Sequence, residues 1–179
     1  VYLGPGSMMM HETNTAWGGW ADNLSMVMYI TIHWLYNCYK MSNWSVNTIM
    51  KIYFSIILVY AIMRGLFGDG MGIGLNLFGV SIGLWVISEF LYKFWSPHMR
   101  FISGFVGFLV LMLFGTFPME VFENINDYWW IVFFWLPGLL ANKSPEGYRT
   151  YRWYFAGMIA YMSAFAIWLT GVPDSETCN

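Results

Sequence analysis

Apolar residues fill six long stretches of this chain, and short polar connectors separate them. A bilayer core about 30 Å thick needs roughly 20 apolar residues of helix, with about 17–25 the usual range. The pattern predicts six spans, at residues 23–39, 48–63, 72–92, 101–117, 128–141 and 151–172. Residues 1–11 are typical of the end of an earlier helix. The predicted fold class is therefore all-α, a polytopic transmembrane helix bundle.

Two of the predicted spans contain residues that a membrane helix tolerates poorly. Lys51 lies in the second span, where its aliphatic stem can carry the ammonium group to the interface. The fifth span is short and contains Pro137-Gly138, which predicts a tilted, broken or re-entrant segment.

The composition supports a lipid environment. Of 179 residues, 58% are hydrophobic and only 10% are charged, whereas a soluble domain carries roughly 25% charged residues. The net charge of −2, without a basic run, makes a nucleic-acid partner unexpected. We predict one bundle over residues 1–179. Since the chain opens on Val1 and has no charged tail at Asn179, we expect it to be truncated at both ends.

Basic residues concentrate in alternate connectors, which predicts the orientation. Lys and Arg favour cytoplasmic loops, so these connectors are expected on the cytoplasmic face. Both ends of the chain are then expected on the non-cytoplasmic face of a multi-pass protein. These connectors carry Lys40 and Lys51, then Lys93 and Arg100, then Lys143, Arg149 and Arg152, whereas Arg64 lies with Asp69 in one of the other connectors.

The densest group of polar residues precedes the first span. On a helix, Ser7 and His11 stand at i and i+4 on one face. The pair Gly18-Gly19 predicts a turn, after which Asp22 opens the next helix beside them. Because Asp is also a preferred N-cap residue, a purely structural role for Asp22 stays open.

A hydroxyl, an imidazole and a carboxylate suggest two chemistries. A nucleophilic triad would need Ser7 and His11 aligned for proton transfer, which neighbours on one helical face rarely achieve. A metal site would use His11 as ligand and Asp22 on a bound water, but catalytic zinc takes three protein ligands. We expect His33 to pack inside the first span, and His98 lies in a basic connector. The residues alone thus predict a polar cluster of open purpose.

Ser7-x-x-x-His11, followed by Asp22 in the run Asp22-Asn23-Leu24-Ser25-Met26, resembles the alkaline ceramidase family. That family belongs to a superfamily of transmembrane hydrolases (CREST), with GPI-anchor lipid-remodelling proteins and the progestin and adiponectin receptors. Its members have a His-x-x-x-His on the last helix. The approach to that helix is similar to a second part of this chain, Ala166-Ile167-Trp168, then Asp174 and Cys178.

The resemblance implies a membrane-embedded, zinc-dependent hydrolase of a lipid amide such as ceramide, with membrane lipids as partners. His11 would be one of three histidine ligands to Zn²⁺, and Asp22 would position or deprotonate the zinc-bound water. Ser7 would hydrogen-bond that water or the developing oxyanion. The other two ligands would follow Asn179, and the site would lie near the non-cytoplasmic face. More spans separate Asp22 from the final helix than in the simpler ceramidase layout, which leaves the substrate open.

Two alternatives remain. A receptor-like or lipid-remodelling member of the same superfamily would act on another acyl lipid. A non-enzymatic, structural helix-bundle subunit would use Ser7, His11 and Asp22 only to satisfy one another, because polar clusters also stabilise helix packing. We expect Cys38 to be a buried or free thiol.

Overall fold

The chain divides into two compact units, residues 1–146 and 147–179. The computed structural model describes residues 3–114 and 125–145 of the first unit and residues 156, 157, 159, 160 and 163 of the second. All regular elements in these ranges are helical. The all-α class is therefore confirmed for the described residues. The sixth predicted span, 151–172, falls mostly outside them, as do Asp174 and Cys178.

The chain begins with a helical hairpin. Helix α1 (Leu3–Thr13) and helix α2 (Ala16–Lys40) are joined by Asn14 and Thr15, and Asn14 adopts a left-handed backbone with φ of 46°. The Thr15 side chain caps α2 by accepting a hydrogen bond of 3.2 Å from the Gly18 amide. Two predictions are therefore wrong: Gly18-Gly19 lies within α2 rather than in a turn, and Asp22 lies inside the helix rather than at its cap.

The second predicted span is helix α3 (Val46–Phe67), which Ser45 caps at its start. In the part of the chain that the structure describes, α3 is the one helix long and apolar enough to cross a membrane. Much of its apolar surface is exposed. The exposed residues include Phe54, Leu58, Val59, Ile62 and Leu66.

The helix observed in the third predicted span, residues 72–92, is shorter than the apolar run that predicts it. A brief 3₁₀ helix (Asp69–Gly72) and a turn occupy its beginning, and helix α4 (Leu77–Lys93) starts only after Asn76. The Asn76 Oδ1 caps α4 by accepting a hydrogen bond of 2.9 Å from the Gly79 amide. Helix α5 (Met99–Phe114) covers the described part of the fourth predicted span, residues 101–117.

The fifth predicted span is broken. A long 3₁₀ helix (Ile125–Trp135) continues directly into a short helix α6 (Leu136–Leu140), with Pro137 in its first turn. Proline fits there because the first amides of an α-helix have no intrahelical partner. The fifth predicted span thus changes helix type between Trp135 and Leu136, whereas Pro137-Gly138 itself lies inside α6.

Three connectors meet at one end of the first unit. The amides of Asn142 and Lys143 donate to the Met41 carbonyl at 2.8 and 3.1 Å. Met41, Leu91 and Ala141 form a buried cluster there, against which Tyr92, Trp95 and Met99 pack. The described parts of the connectors after α2, after α4 and after α6 therefore lie together.

Candidate functional site

The α1–α2 hairpin carries all three residues of the predicted site, and two glycines set its spacing. A Cβ atom on Gly18 would lie 2.6 Å from the Met9 carbonyl oxygen and 2.9 Å from the Met10 Cα. A Cβ on Gly6 would lie 2.7 Å from the Ser25 Cβ and 2.9 Å from the Ala21 carbonyl oxygen. Real Cβ atoms do not approach other atoms so closely, so both glycines are required for the observed contact between the two backbones.

This register brings Ser7 and Asp22 to the same level of the hairpin, because Gly6 packs against Ala21 and Ser25. At about 100° per residue, Ser7 and Asp22 also turn to the same flank. Both are half-buried.

The structure places His11 one turn further along α1 than Ser7, where it is exposed. Among the described residues, no hydrogen bond joins the side chains of Ser7, His11 and Asp22. The hairpin thus brings a hydroxyl and a carboxylate to one flank and leaves the imidazole open to its surroundings.

A zinc ion would find only part of a ligand set in the hairpin. Within residues 3–114 and 125–145, no group of three His, Cys, Asp or Glu side chains is close enough to hold a metal ion. His11 and Asp22 offer one imidazole and one carboxylate, whereas a catalytic zinc takes three protein ligands. Further ligands would have to come from outside the described residues.

Of the other two histidines, His33 packs within the bundle and His98 lies in a connector. The Nδ1 atom of His33 lies 2.7 Å from the Tyr29 carbonyl oxygen, and its ring packs against Tyr29 and Trp85. The packing role expected for His33 is therefore confirmed. His98 is exposed in the connector between α4 and α5, where its carbonyl accepts from the Phe101 amide.

A buried polar cluster between α2 and α4 was missed by the sequence reasoning. Glu89 is only 8% exposed, and its Oε1 accepts hydrogen bonds from Asn37 Nδ2 at 2.9 Å and Trp85 Nε1 at 3.3 Å. Asn37 Nδ2 also donates to Ser88 Oγ at 3.0 Å. The signal was present in the sequence, because a carboxylate inside an apolar run is a candidate functional or structural residue by default.

The described chain is thus defined as an all-α protein whose first unit is a helical bundle. Comparisons with protein-family models, with characterised proteins and with solved structures gave no match.

Proposed function

We propose that this chain is a multi-pass membrane protein, with α2, α3, α4, α5 and the 125–140 segment as spans. The exposed apolar surface of α3 supports the proposal, since lipid is the solvent that suits Phe54, Leu58 and Leu66. The inward position of Glu89 also supports it, because polar side chains in a membrane bundle face other helices.

We propose further that the α1–α2 hairpin holds the catalytic site of a zinc-dependent lipid amide hydrolase. The single observation that supports this is the close approach of α1 and α2 at Gly6 and Gly18. With that approach, helix geometry predicts Ser7 and Asp22 at the same height on one side of the hairpin. A carboxylate and a hydroxyl on the same side of the hairpin can both reach one bound substrate.

Each of the three residues has a role in this proposal. His11 binds the metal through its imidazole, and its exposure leaves it accessible to ligands from outside the hairpin. Asp22 accepts the proton of the attacking water as general base. The Ser7 hydroxyl donates to the oxygen on which negative charge develops. When bound, zinc lowers the pKa of its water to about 7 and polarises the acyl carbonyl.

The test uses the purified full-length protein in detergent or nanodiscs, with bound zinc measured by elemental analysis and hydrolysis measured with fluorescent ceramides. We expect His11→Ala to lose both zinc and hydrolysis. The matched control is His98→Ala, which removes an exposed imidazole far along the chain and leaves both values unchanged. Wild-type protein without zinc, or an active His11→Ala variant, contradicts the proposal. Parallel assays with phospholipids and GPI-type esters identify a lipid-remodelling activity.

A structural, non-enzymatic role is the second candidate, and the α2–α4 cluster favours it. Asn37 on α2 donates hydrogen bonds to both Ser88 and Glu89 on α4, and all three residues are buried. Such a network specifies packing without any substrate. If the three hairpin residues tolerate alanine in every lipid assay while Asn37→Ala destabilises the bundle, this candidate replaces the hydrolase.

A further inference from the structure

A polar cleft opens at the end of the first unit where the basic connectors meet. Its volume is about 320 Å³, enough for a phosphate group and part of its substituent. The end of α2 and the α2–α3 turn form one wall, and the loop after α6 forms the other. The described residues that line it are Tyr39, Lys40, Ser42, Asn43, Trp44 and Lys143.

The charge of the lining suits an anion. The described part of the lining contains two ammonium groups, from Lys40 and Lys143. The Lys40 Nζ lies 5.7 Å from the centroid of the Tyr36 ring, a contact that holds the ammonium group without neutralising it. Tyr39 and Asn43 add side-chain groups that can donate hydrogen bonds.

The helix ends near the cleft also bear on its potential. Helix α3 begins at Val46, so its positive dipole end is close to Asn43 and Trp44. The carboxyl end of α2 has the opposite sign, but the amides of Met41 and Ser42 occupy carbonyls of its last turn. The start of α3 is capped in turn, because the Ser45 Oγ accepts a hydrogen bond from the Thr48 amide, so the positive charge of the cleft comes chiefly from Lys40 and Lys143.

The two walls of the cleft are fixed to each other. The amides of Asn142 and Lys143 both donate to the Met41 carbonyl, and Ala141 is buried against Met41. Ser42 Oγ lies 3.4 Å from the Tyr39 carbonyl and accepts from the Trp44 amide at the same distance. The lysine backbones are thus held on opposite walls before a ligand binds, which lowers the entropic cost of binding.

We propose that this cleft binds the phosphate of an anionic phospholipid headgroup. The inference rests on the proposed membrane location, because there the cleft lies at the end of the spans, at headgroup depth. Basic pockets between membrane helices on the cytoplasmic side are typical sites for such headgroups. Trp44 and Tyr39 suit the same depth, since aromatic residues with a polar edge favour the interface.

The test titrates the purified full-length protein in a neutral detergent with dihexanoyl phosphatidylglycerol, dihexanoyl phosphatidylcholine and inorganic phosphate, by isothermal calorimetry. We expect the anionic lipid to bind and the zwitterionic lipid not to bind. Each lysine near an anionic headgroup is worth about fivefold in affinity. The double variant Lys40→Gln/Lys143→Gln should therefore bind about 30-fold more weakly.

The matched control is Lys51→Gln/Lys93→Gln, which removes the same charge outside the cleft and should change the affinity less than twofold. Equal loss in both double variants overturns the site, because it indicates general electrostatic attraction. Binding of phosphatidylcholine as tight as that of phosphatidylglycerol overturns it as well. Inorganic phosphate that binds as tightly as the anionic lipid assigns the site to free phosphate and overturns the lipid assignment.

Two further readouts separate this proposal from the others. The helical circular-dichroism signal and the unfolding midpoint of each variant show whether the cleft is intact. Resistance of the protein to alkaline carbonate extraction tests the membrane location independently of headgroup binding. Hydrolysis of ceramide should be the same in all lysine variants, since Ser7, His11 and Asp22 do not line the cleft.

Discussion

Asn37 and Glu89 are joined inside the bundle by a hydrogen bond of 2.9 Å from Nδ2 to Oε1, which links α2 to α4. Both residues are buried, so the bond is shielded from competing solvent. A buried carboxylate is costly unless hydrogen bonds satisfy its oxygens. The pairing therefore fixes how α2 and α4 align along their axes. A shift of one helix against the other would leave the buried Glu89 carboxylate with fewer hydrogen-bond donors.

Truncation of Asn37 should destabilise the bundle. Asn37→Ala removes a donor to Glu89 and to Ser88, and the loss should be about 1–3 kcal/mol. Denaturant titration in detergent, followed by circular dichroism, measures it. Asn142→Ala is the control, because this asparagine is exposed and should stay within about 0.5 kcal/mol of wild type. Equal midpoints for the two variants would show that the bond contributes nothing.

Adjacent glycines in α2 should respond oppositely to alanine. Gly18→Ala forces its Cβ against the Met9 carbonyl and should cost about 1–3 kcal/mol by separating α1 from α2. At Gly19 the Cβ meets open space, so Gly19→Ala should stabilise by up to about 1 kcal/mol through helix propensity. Thermal unfolding of both variants measures the difference. The same sign for both would contradict the observed packing of the hairpin.

Asp22 should matter for the reaction rate but not for metal content. In the proposed hydrolase, Asp22→Asn removes the general base, and kcat should fall by about 10²–10⁴ while bound zinc stays constant. Glu12→Gln is the control, because Glu12 is an exposed carboxylate on the same hairpin and has no role in the proposed reaction. A loss of zinc in Asp22→Asn would make Asp22 a ligand instead of a base.

The thiol of Cys38 should be protected until the bundle opens. It is fully buried and forms no disulfide, so a maleimide reacts only after an opening motion. In a Cys178→Ser background, we expect labelling of Cys38 to be slower by about 10²-fold or more than labelling of a cysteine introduced as Asn142→Cys. Rapid labelling of both thiols in the native protein would rule out the packed core around α2.

The lengths of the apolar runs predict most helices of the described bundle, but they do not predict the residues at which those helices begin and end. The run at residues 48–63 becomes α3 with a few added residues at each end, because continuous apolar sequence favours a helix in either interior. The start of α2 was mispredicted because Gly18-Gly19 has low helix propensity. Packing against α1 at Gly18 outweighs that local preference, and only the folded neighbour shows it.

The residues of the candidate site could be predicted from the sequence, but their positions relative to one another could not. The i, i+4 spacing of Ser7 and His11 is a property of the sequence. The position of Asp22 along the hairpin relative to Ser7 depends instead on where the hairpin turns, at Asn14. Glu89 was visible as a charge in an apolar run. Its partner Asn37 lies on another helix, and a pairing at such a separation along the chain cannot be inferred from one sequence.

The long 3₁₀ helix changes how far a short segment reaches. A 3₁₀ helix rises about 2.0 Å per residue, compared with about 1.5 Å in an α-helix. Residues 125–140 combine eleven residues of the first type with five of the second, so their rises along the helix axes sum to about 30 Å, compared with about 24 Å for a uniform α-helix. The thinner, stretched coil thus allows sixteen residues to match the thickness of a hydrocarbon layer that ordinarily requires about twenty.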